Sequence, residues 1–141
     1  MTPLAGFEYF DVAADVGVVA RGASLAEAAG ALGRGVFNLI VPLEAVEARE
    51  ERKVAVEGVD EGALLVNWVN ELLYLHDVEG WVVARIEVEV VPPRLTARLV
   101  GESFDPARHP RGTVVKAATF HNLAIQRDPE GSVTLRMVLD V

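Results

Sequence analysis

The stretch Phe104–His121, F-D-P-A-R-H-P-R-G-T-V-V-K-A-A-T-F-H, holds two of the chain's three histidines with an aspartate, three cations and two prolines. Imidazole, carboxylate and ammonium groups in one short run can move protons, hold a metal or grip an anion. Arg108, His109, Pro110 and Arg111 are expected to form a rigid loop, with His109 exposed and available for recognition. Lys116 stands in T-V-V-K-A-A, a run of small apolar residues where an unpartnered ammonium is costly to bury. It must either snorkel outward or meet a carboxylate or a partner's anion.

The carboxylates point to a second kind of chemistry. Asp11 and Asp15 flank a strand break, where they can converge on a cation or cap nearby backbone. Asp140 stands beside the carboxylate of Val141. Hard cations such as Ca²⁺ or Mg²⁺ take oxygen ligands, so Asp11, Asp15, Asp105, Asp140 and Val141 are candidates. His109 and His121 could add nitrogen for zinc, but two histidines without cysteine partners form a weak zinc pattern. His76, at a helix end, is either a ligand or a side chain placed on the C-terminal dipole. The motifs G-x-S-x-G, H-E-x-x-H, G-x-x-x-x-G-K-[ST] and the EF-hand loop are all missing, so no residue is assigned a catalytic role.

Several elements must position these groups. Phe7–Phe10 and Val16–Arg21 read as strands interrupted at Asp11–Asp15. Ser24 and Glu27 have capping-box spacing and open a helix whose apolar face is Leu25, Ala28, Ala29, Leu32, Val36, Leu39 and Ile40. Gly30, Gly33 and Gly35 within it imply close packing on a sheet; their order is not the dinucleotide-binding fingerprint. A strand over Arg52–Glu57 leads to a second helix carrying Leu64, Leu65, Trp68, Val69 and Leu72, with Asp60 or Glu61 at its positive end. Ile86, Val88 and Val90 alternate with charges, as do Leu95, Ala97 and Leu99. Pairing Val91 with Arg94 puts all six apolar residues on one face and Glu87 opposite Arg98. Further strands are expected near Thr113–Ala118 and His121–Arg127, and a last one carries Val133, Leu135, Met137 and Leu139. This order predicts a single α+β domain over residues 1–141, with two helices on a largely antiparallel sheet.

At 141 residues and 51% hydrophobic, the chain can bury about two-thirds of its unfolded surface. Cysteine is absent, which excludes disulfides and thiolate sites and suggests the cytoplasm. The N-terminus lacks the pattern of a signal peptide, and no apolar run approaches the roughly 20 residues that span a bilayer. The net charge of −8 argues against a broad nucleic-acid footprint, so any RNA contact is expected through a partner.

These residues together resemble the archease family. The likeness runs through F-E-Y-F-D-V-A-A-D-V-G-V at Phe7–Val18, S-L-A-E-A-A at Ser24–Ala29 and L-L-V-N-W-V-N-E-L-L-Y-L at Leu64–Leu75. It continues through G-E-S-F-D-P-A-R-H at Gly101–His109, G-T-V-V-K-A-A-T-F-H at Gly112–His121 and the final V-L-D-V. The resemblance implies an accessory protein, not itself an enzyme, of the RtcB-type RNA ligase of tRNA splicing and RNA repair. Archeases promote guanylylation of the ligase's histidine, support its multiple turnover and can broaden its nucleotide use. By the same resemblance Asp15 and Asp140 hold a divalent cation, Ca²⁺ first with Mg²⁺ or Mn²⁺ as alternatives, with the Val141 carboxylate a further ligand. Lys116, and with it His109, becomes a contact to the ligase or its nucleotide. The family usually reads D/E-H-T-A-D at the first motif; here Val12 and Ala13 replace the His-Thr pair, so that histidine's role has no counterpart. Two other readings are a stand-alone metal-dependent phosphoester hydrolase and a general chaperone-like binding protein.

Overall fold

The computed structural model describes residues 6–141. The chain opens with an antiparallel hairpin of β1 (Phe7–Val12) and β2 (Asp15–Gly22), closed at Val12 opposite Asp15. The expected break between Phe10 and Val16 is therefore a tight turn, and both strands run closer to it. Ala13 sits there at φ 46, a left-handed conformation that costs an L-residue with a β-carbon roughly 1–2 kcal/mol.

Helix α1 (Leu25–Ile40) starts where the spacing predicts, with Ser24 Oγ accepting the Glu27 N–H at 3.1 Å. It is buried on nearly every side because it packs on both β2 and β4. A β-carbon on Gly33 would fall 2.9 Å from Ile86 Cδ1, and one on Gly35 3.0 Å from Val18 Cγ1. Gly33 and Gly35 thus allow the expected close packing, against two different sheets, whereas a β-carbon on Gly30 would meet only ordinary contacts. A short 3-10 turn at Leu43–Ala45 leads to β3 (Glu50–Glu57).

Helix α2 (Glu61–Glu79) is capped by Asp60, whose Oδ1 accepts the Ala63 N–H at 2.8 Å. It buries Val66, Leu73 and Leu75 as well as the expected face, and Trp68 Nε1 donates to the Ala29 carbonyl of α1 at 2.9 Å. Strands β4 (Trp81–Val91) and β5 (Arg94–Ser103) follow. Their register is the one the alternating pattern predicts, with Val91 on Arg94, Ile86 on Leu99, Val88 on Ala97 and Val90 on Leu95. Glu87 lies opposite Arg98 at 3.6 Å.

The last third departs from expectation. Only Ala117–Ala118 (β6) and Ala124–Arg127 (β7) pair as strands, before β8 (Val133–Asp140). Residues 113–116 are held instead by single hydrogen bonds, and a turn intervenes around His121 and Asn122, the latter at φ 56. The fold is α+β as expected, but the strands divide into two antiparallel sheets. One has the order β1-β2-β8-β6 with β7 also on β8; the other is β3-β5-β4. Both turn apolar faces toward the helices, and one core cluster runs from Val18, Leu135 and Met137 through Trp68 to Leu95 and Leu99. Among the described residues no helix is long and apolar enough to cross a membrane.

Candidate functional site

Three of the residues singled out in the sequence meet at one end of the larger sheet. Strands β2 and β8 pair up to Val16 opposite Leu139, so one further step of that register sets Asp15, the first residue of β2, against Asp140, the last of β8. On the other side of β8, Asp140 is paired with Ala117. Lys116 N–H also donates to the Asp140 carbonyl, at 2.8 Å. Two residues thus share one opposite residue, which is a β-bulge, a device that re-aims side chains at sheet edges. Asp15 on β2, Asp140 on β8 and Lys116 just before β6 are thus brought to one sheet end from three separate segments of the chain.

Asp140 and Lys116 are exposed and Asp15 is half-buried. Among the described residues neither aspartate has an ion-pair partner, and no carboxylate lies within ion-pairing distance of Lys116. Opposed carboxylates repel, so this sheet end is electrostatically incomplete. Its donors are all oxygen, the set that hard cations prefer. Only two carboxylates gather here; among the described residues no group of three His, Asp or Glu side chains forms a metal cluster. That count suits Mg²⁺-like binding, where one or two carboxylates hold the ion and water or phosphate completes the shell. Val141, half-buried, follows directly. Asp11 does not join: it is paired with Val16, which puts it on the face opposite Asp15.

The loop before Lys116 overturns one expectation. His109 is 1% exposed rather than presented to a partner. Its Nδ1 accepts the Asp105 N–H at 2.8 Å, so Nε2 carries the proton and donates to Glu102 Oε2 at 2.9 Å. Glu102 is buried as well, and also accepts from the Glu47 N–H at 2.7 Å and Arg108 Nη2 at 2.6 Å. The Arg108 guanidinium above all, with the Glu47 and His109 N–H groups, pulls its carboxyl down to about 2 against the cost of burial. Arg111 lies over the Phe104 ring at 4.6 Å. Asp105 accepts the Ala107 N–H at 2.9 Å and meets Arg108 at 3.3 Å. The polar residues of this loop are therefore turned inward on one another, and among the described residues Lys116 alone of the three local cations has no partner. His76 Nδ1 meets the Trp81 carbonyl at 3.0 Å, and among the described residues His76 joins no cluster of metal-ligating side chains; His121 is exposed beside Asn122.

The segment carrying Lys116 is tied to both helices. Gly112 and Thr113 N–H donate to the Ile40 and Leu39 carbonyls at 2.8 and 2.6 Å, satisfying acceptors that the end of α1 leaves open. The Ala118 N–H donates to Asn70 Oδ1 of α2 at 3.0 Å. Leu123 then lies close to Gly62 at the start of α2, so the segment runs antiparallel along that helix. Val114 and Phe120 on it are exposed, as are Tyr74 and Val78 on the same helix. Glu102 and Asn70 were not singled out from the sequence. Glu102 falls at an outward-facing position of β5's alternation, and Asn70 reads as one of several polar residues on a helix's outer side.

A sequence model of the archease protein family matches residues 7–141. The protein archease of Pyrococcus abyssi is 37% identical over 139 residues, covering 96% of this chain and 98% of its own. That of Methanothermobacter thermautotrophicus is 36% identical over 140 residues, covering 96% and 99%. The solution structure of Methanobacterium thermoautotrophicum protein 1598 aligns with a TM-score of 0.80 at 33% identity, over 98% of this chain and 100% of that one. The crystal structure of an archease from Thermotoga maritima, described as a possible chaperone, aligns with a TM-score of 0.65 at 19% identity, over 95% and 96%; this is a likeness of fold.

Proposed function

The chain belongs to the archease family, and on that premise we propose that it activates an RtcB-type 3′-phosphate RNA ligase of tRNA splicing and RNA repair. Its role there is to promote guanylylation of the ligase and so its repeated turnover, and to widen the nucleotides the ligase accepts. The observation that carries this reading is the convergence of Asp15 on β2, Asp140 on β8 and Lys116 just before β6, with no ion-pair partner for any of them among the described residues. A surface that holds opposed carboxylates beside an unpartnered ammonium is suited to complete another protein's nucleotide site.

Nucleotidyl transfer needs a triphosphate held in line with its nucleophile, in surroundings that offset its negative charge. A divalent cation, Ca²⁺ by the family resemblance or Mg²⁺ or Mn²⁺, would supply part of that offset. Asp15 and Asp140 are the residues to hold it, with Val141 oxygen available. Lys116 directs its ammonium at phosphate oxygen, where a point charge on a flexible stem suits a moving group. The exposed Tyr74, Val114 and Phe120 near this strand are apolar surface that a protein partner would bury. RNA is reached through the ligase, in keeping with the net charge of −8.

The test is to measure ligase guanylylation and multiple-turnover RNA joining with and without this protein, using Asp15→Ala, Asp140→Ala and Lys116→Ala. Stimulation by the native protein and its loss in each folded variant is the expected result. Phosphoester turnover by the purified protein alone would replace this reading with a hydrolase. Protection of unrelated clients by all three variants, without ligase stimulation, would replace it with a general chaperone.

A further inference from the structure

The Lys116 bulge lies on an edge strand, and an edge strand has little to keep its register. β6 pairs with β8 over only Ala117 and Ala118, and on its other side no strand follows among the described residues. So short a pairing slips readily, and a slip of one residue turns every side chain to the opposite face. Here Val115 and Ala118 are buried while Lys116 between them is exposed. That pattern is three residues long, not two, and only the bulge at Lys116 and Ala117 accommodates it.

Beyond the bulge, Thr119 N–H and Oγ1 both reach the Val138 carbonyl, at 3.3 and 3.0 Å. The Ala118 N–H points the other way, off the edge of the sheet, and its acceptor is Asn70 Oδ1 at 3.0 Å. Asn70 is exposed and in the middle of α2, whose Asp60 cap and buried face fix it in place. It is the one described side chain that bonds β6 from the helix side. We propose that Asn70 is a positioning residue: through the Ala118 amide it locks β6 in the bulged register, and so fixes Lys116 beside Asp140. Asn70 touches neither nucleotide nor metal in this scheme; it acts through the strand it holds. The inference rests on the ligase-activator reading for its functional consequence, and on the protein alone for its structural one.

Two variants separate the carbonyl acceptor from the rest of the side chain. Asn70→Asp keeps an oxygen where Oδ1 stands, and Asn70→Leu keeps the bulk without an acceptor. In the protein alone, amide hydrogen exchange followed by NMR should show Ala118 and Lys116 exchanging at least tenfold faster in N70L. In N70D they should stay within about threefold of the native protein, with amides in the middle of β2 and β8 unchanged in both. In the ligase assay, N70L should lose at least tenfold of the stimulation at an unchanged melting temperature, and N70D should retain most of it. Unchanged Ala118 exchange in N70L overturns the proposal, as does full stimulation by N70L. Equal loss in both variants with a protected Ala118 also overturns it, because Asn70 would then be touching the partner itself. If the native protein does not stimulate the ligase, the activator reading fails, and the exchange data alone decide whether Asn70 holds the bulge.

Discussion

His109 Nε2 lies 2.9 Å from Glu102 Oε2, and both side chains are buried. The pair joins the loop after β5 to the strand itself, and Asp105 N–H on His109 Nδ1 closes the loop on its own histidine. Removing the imidazole leaves the Asp105 N–H without an acceptor and takes one donor from a buried carboxylate. His109→Ala should therefore cost about 1–3 kcal/mol of stability. Urea denaturation at neutral pH measures it. While it remains folded, the variant should still stimulate the ligase, because His109 is out of a partner's reach; selective loss of stimulation at full stability would contradict the burial argument.

Glu102 makes the same cluster sensitive to acid. Its carboxyl is held at about 2 in the fold, chiefly by Arg108, against an ordinary value of 4.5. The folded value is the lower one, so the cluster's full contribution is present above about pH 4.5. As pH falls below that, the unfolded chain takes the proton first, and the contribution is lost by the time pH reaches about 2. Glu102→Gln should lower stability at pH 7, and the gap between variant and native protein should close on acidification from 4.5 toward 2. Denaturant midpoints at a series of pH values test this; a gap that stays constant through the range would rule out Glu102 as the titrating group.

Elements whose pattern repeats were legible in the sequence. Alternation set the β4–β5 register down to Glu87 on Arg98, Ser24 marked the first helix start, and the second was narrowed to Asp60 or Glu61, of which Asp60 is the cap. What escaped was decided by contacts between distant segments. Helix α1 is flanked by two sheets because its small residues admit a strand on each side, and no local pattern distinguishes that from one sheet. His109 was read as exposed because its neighbours are Arg and Pro. Its burial depends on Glu102, which sits at an outward-facing position of β5's alternation and lies under the loop that folds back over it. Asp15 and Asp140 stood among five candidate oxygen ligands, and only the family resemblance singled them out as a pair; their opposition is a property of register between chain segments more than a hundred residues apart in sequence.

Gly112 is where the Lys116 segment leaves α1. A β-carbon there would fall 2.1 Å from the Leu39 carbonyl oxygen, a backbone atom that cannot swing aside. Gly112→Ala must push the segment off the helix end and break the Gly112–Ile40 and Thr113–Leu39 hydrogen bonds. Overpacking of this kind costs about 1–3 kcal/mol. The expected outcome is a lower melting temperature together with weaker ligase stimulation, since Lys116 lies four residues on. Crystallography or NMR of the variant should show 112–116 displaced and β2–β8 unmoved. Native stability in G112A would mean that the segment does not depend on that close approach.

Asp15 and Asp140 bear on stability in opposite directions with and without a cation. In chelator, their opposed charges repel, and Asp15→Asn or Asp140→Asn should raise stability by about 0.2–1 kcal/mol. With a bound ion the carboxylates become its ligands, and stabilisation grows as RT ln(1 + [L]/Kd), about 2.7 kcal/mol at a hundredfold excess over Kd. The native melting temperature should thus climb with Ca²⁺ or Mg²⁺, while both variants stay flat and cross below it. Lys116→Ala should keep the metal-dependent rise, because the ammonium is not a ligand, and so separates metal holding from phosphate contact. The comparison needs no ligase. A native protein whose melting temperature ignores both cations would remove the metal from the proposed site, and would leave the two carboxylates as a contact for a cationic group on the partner.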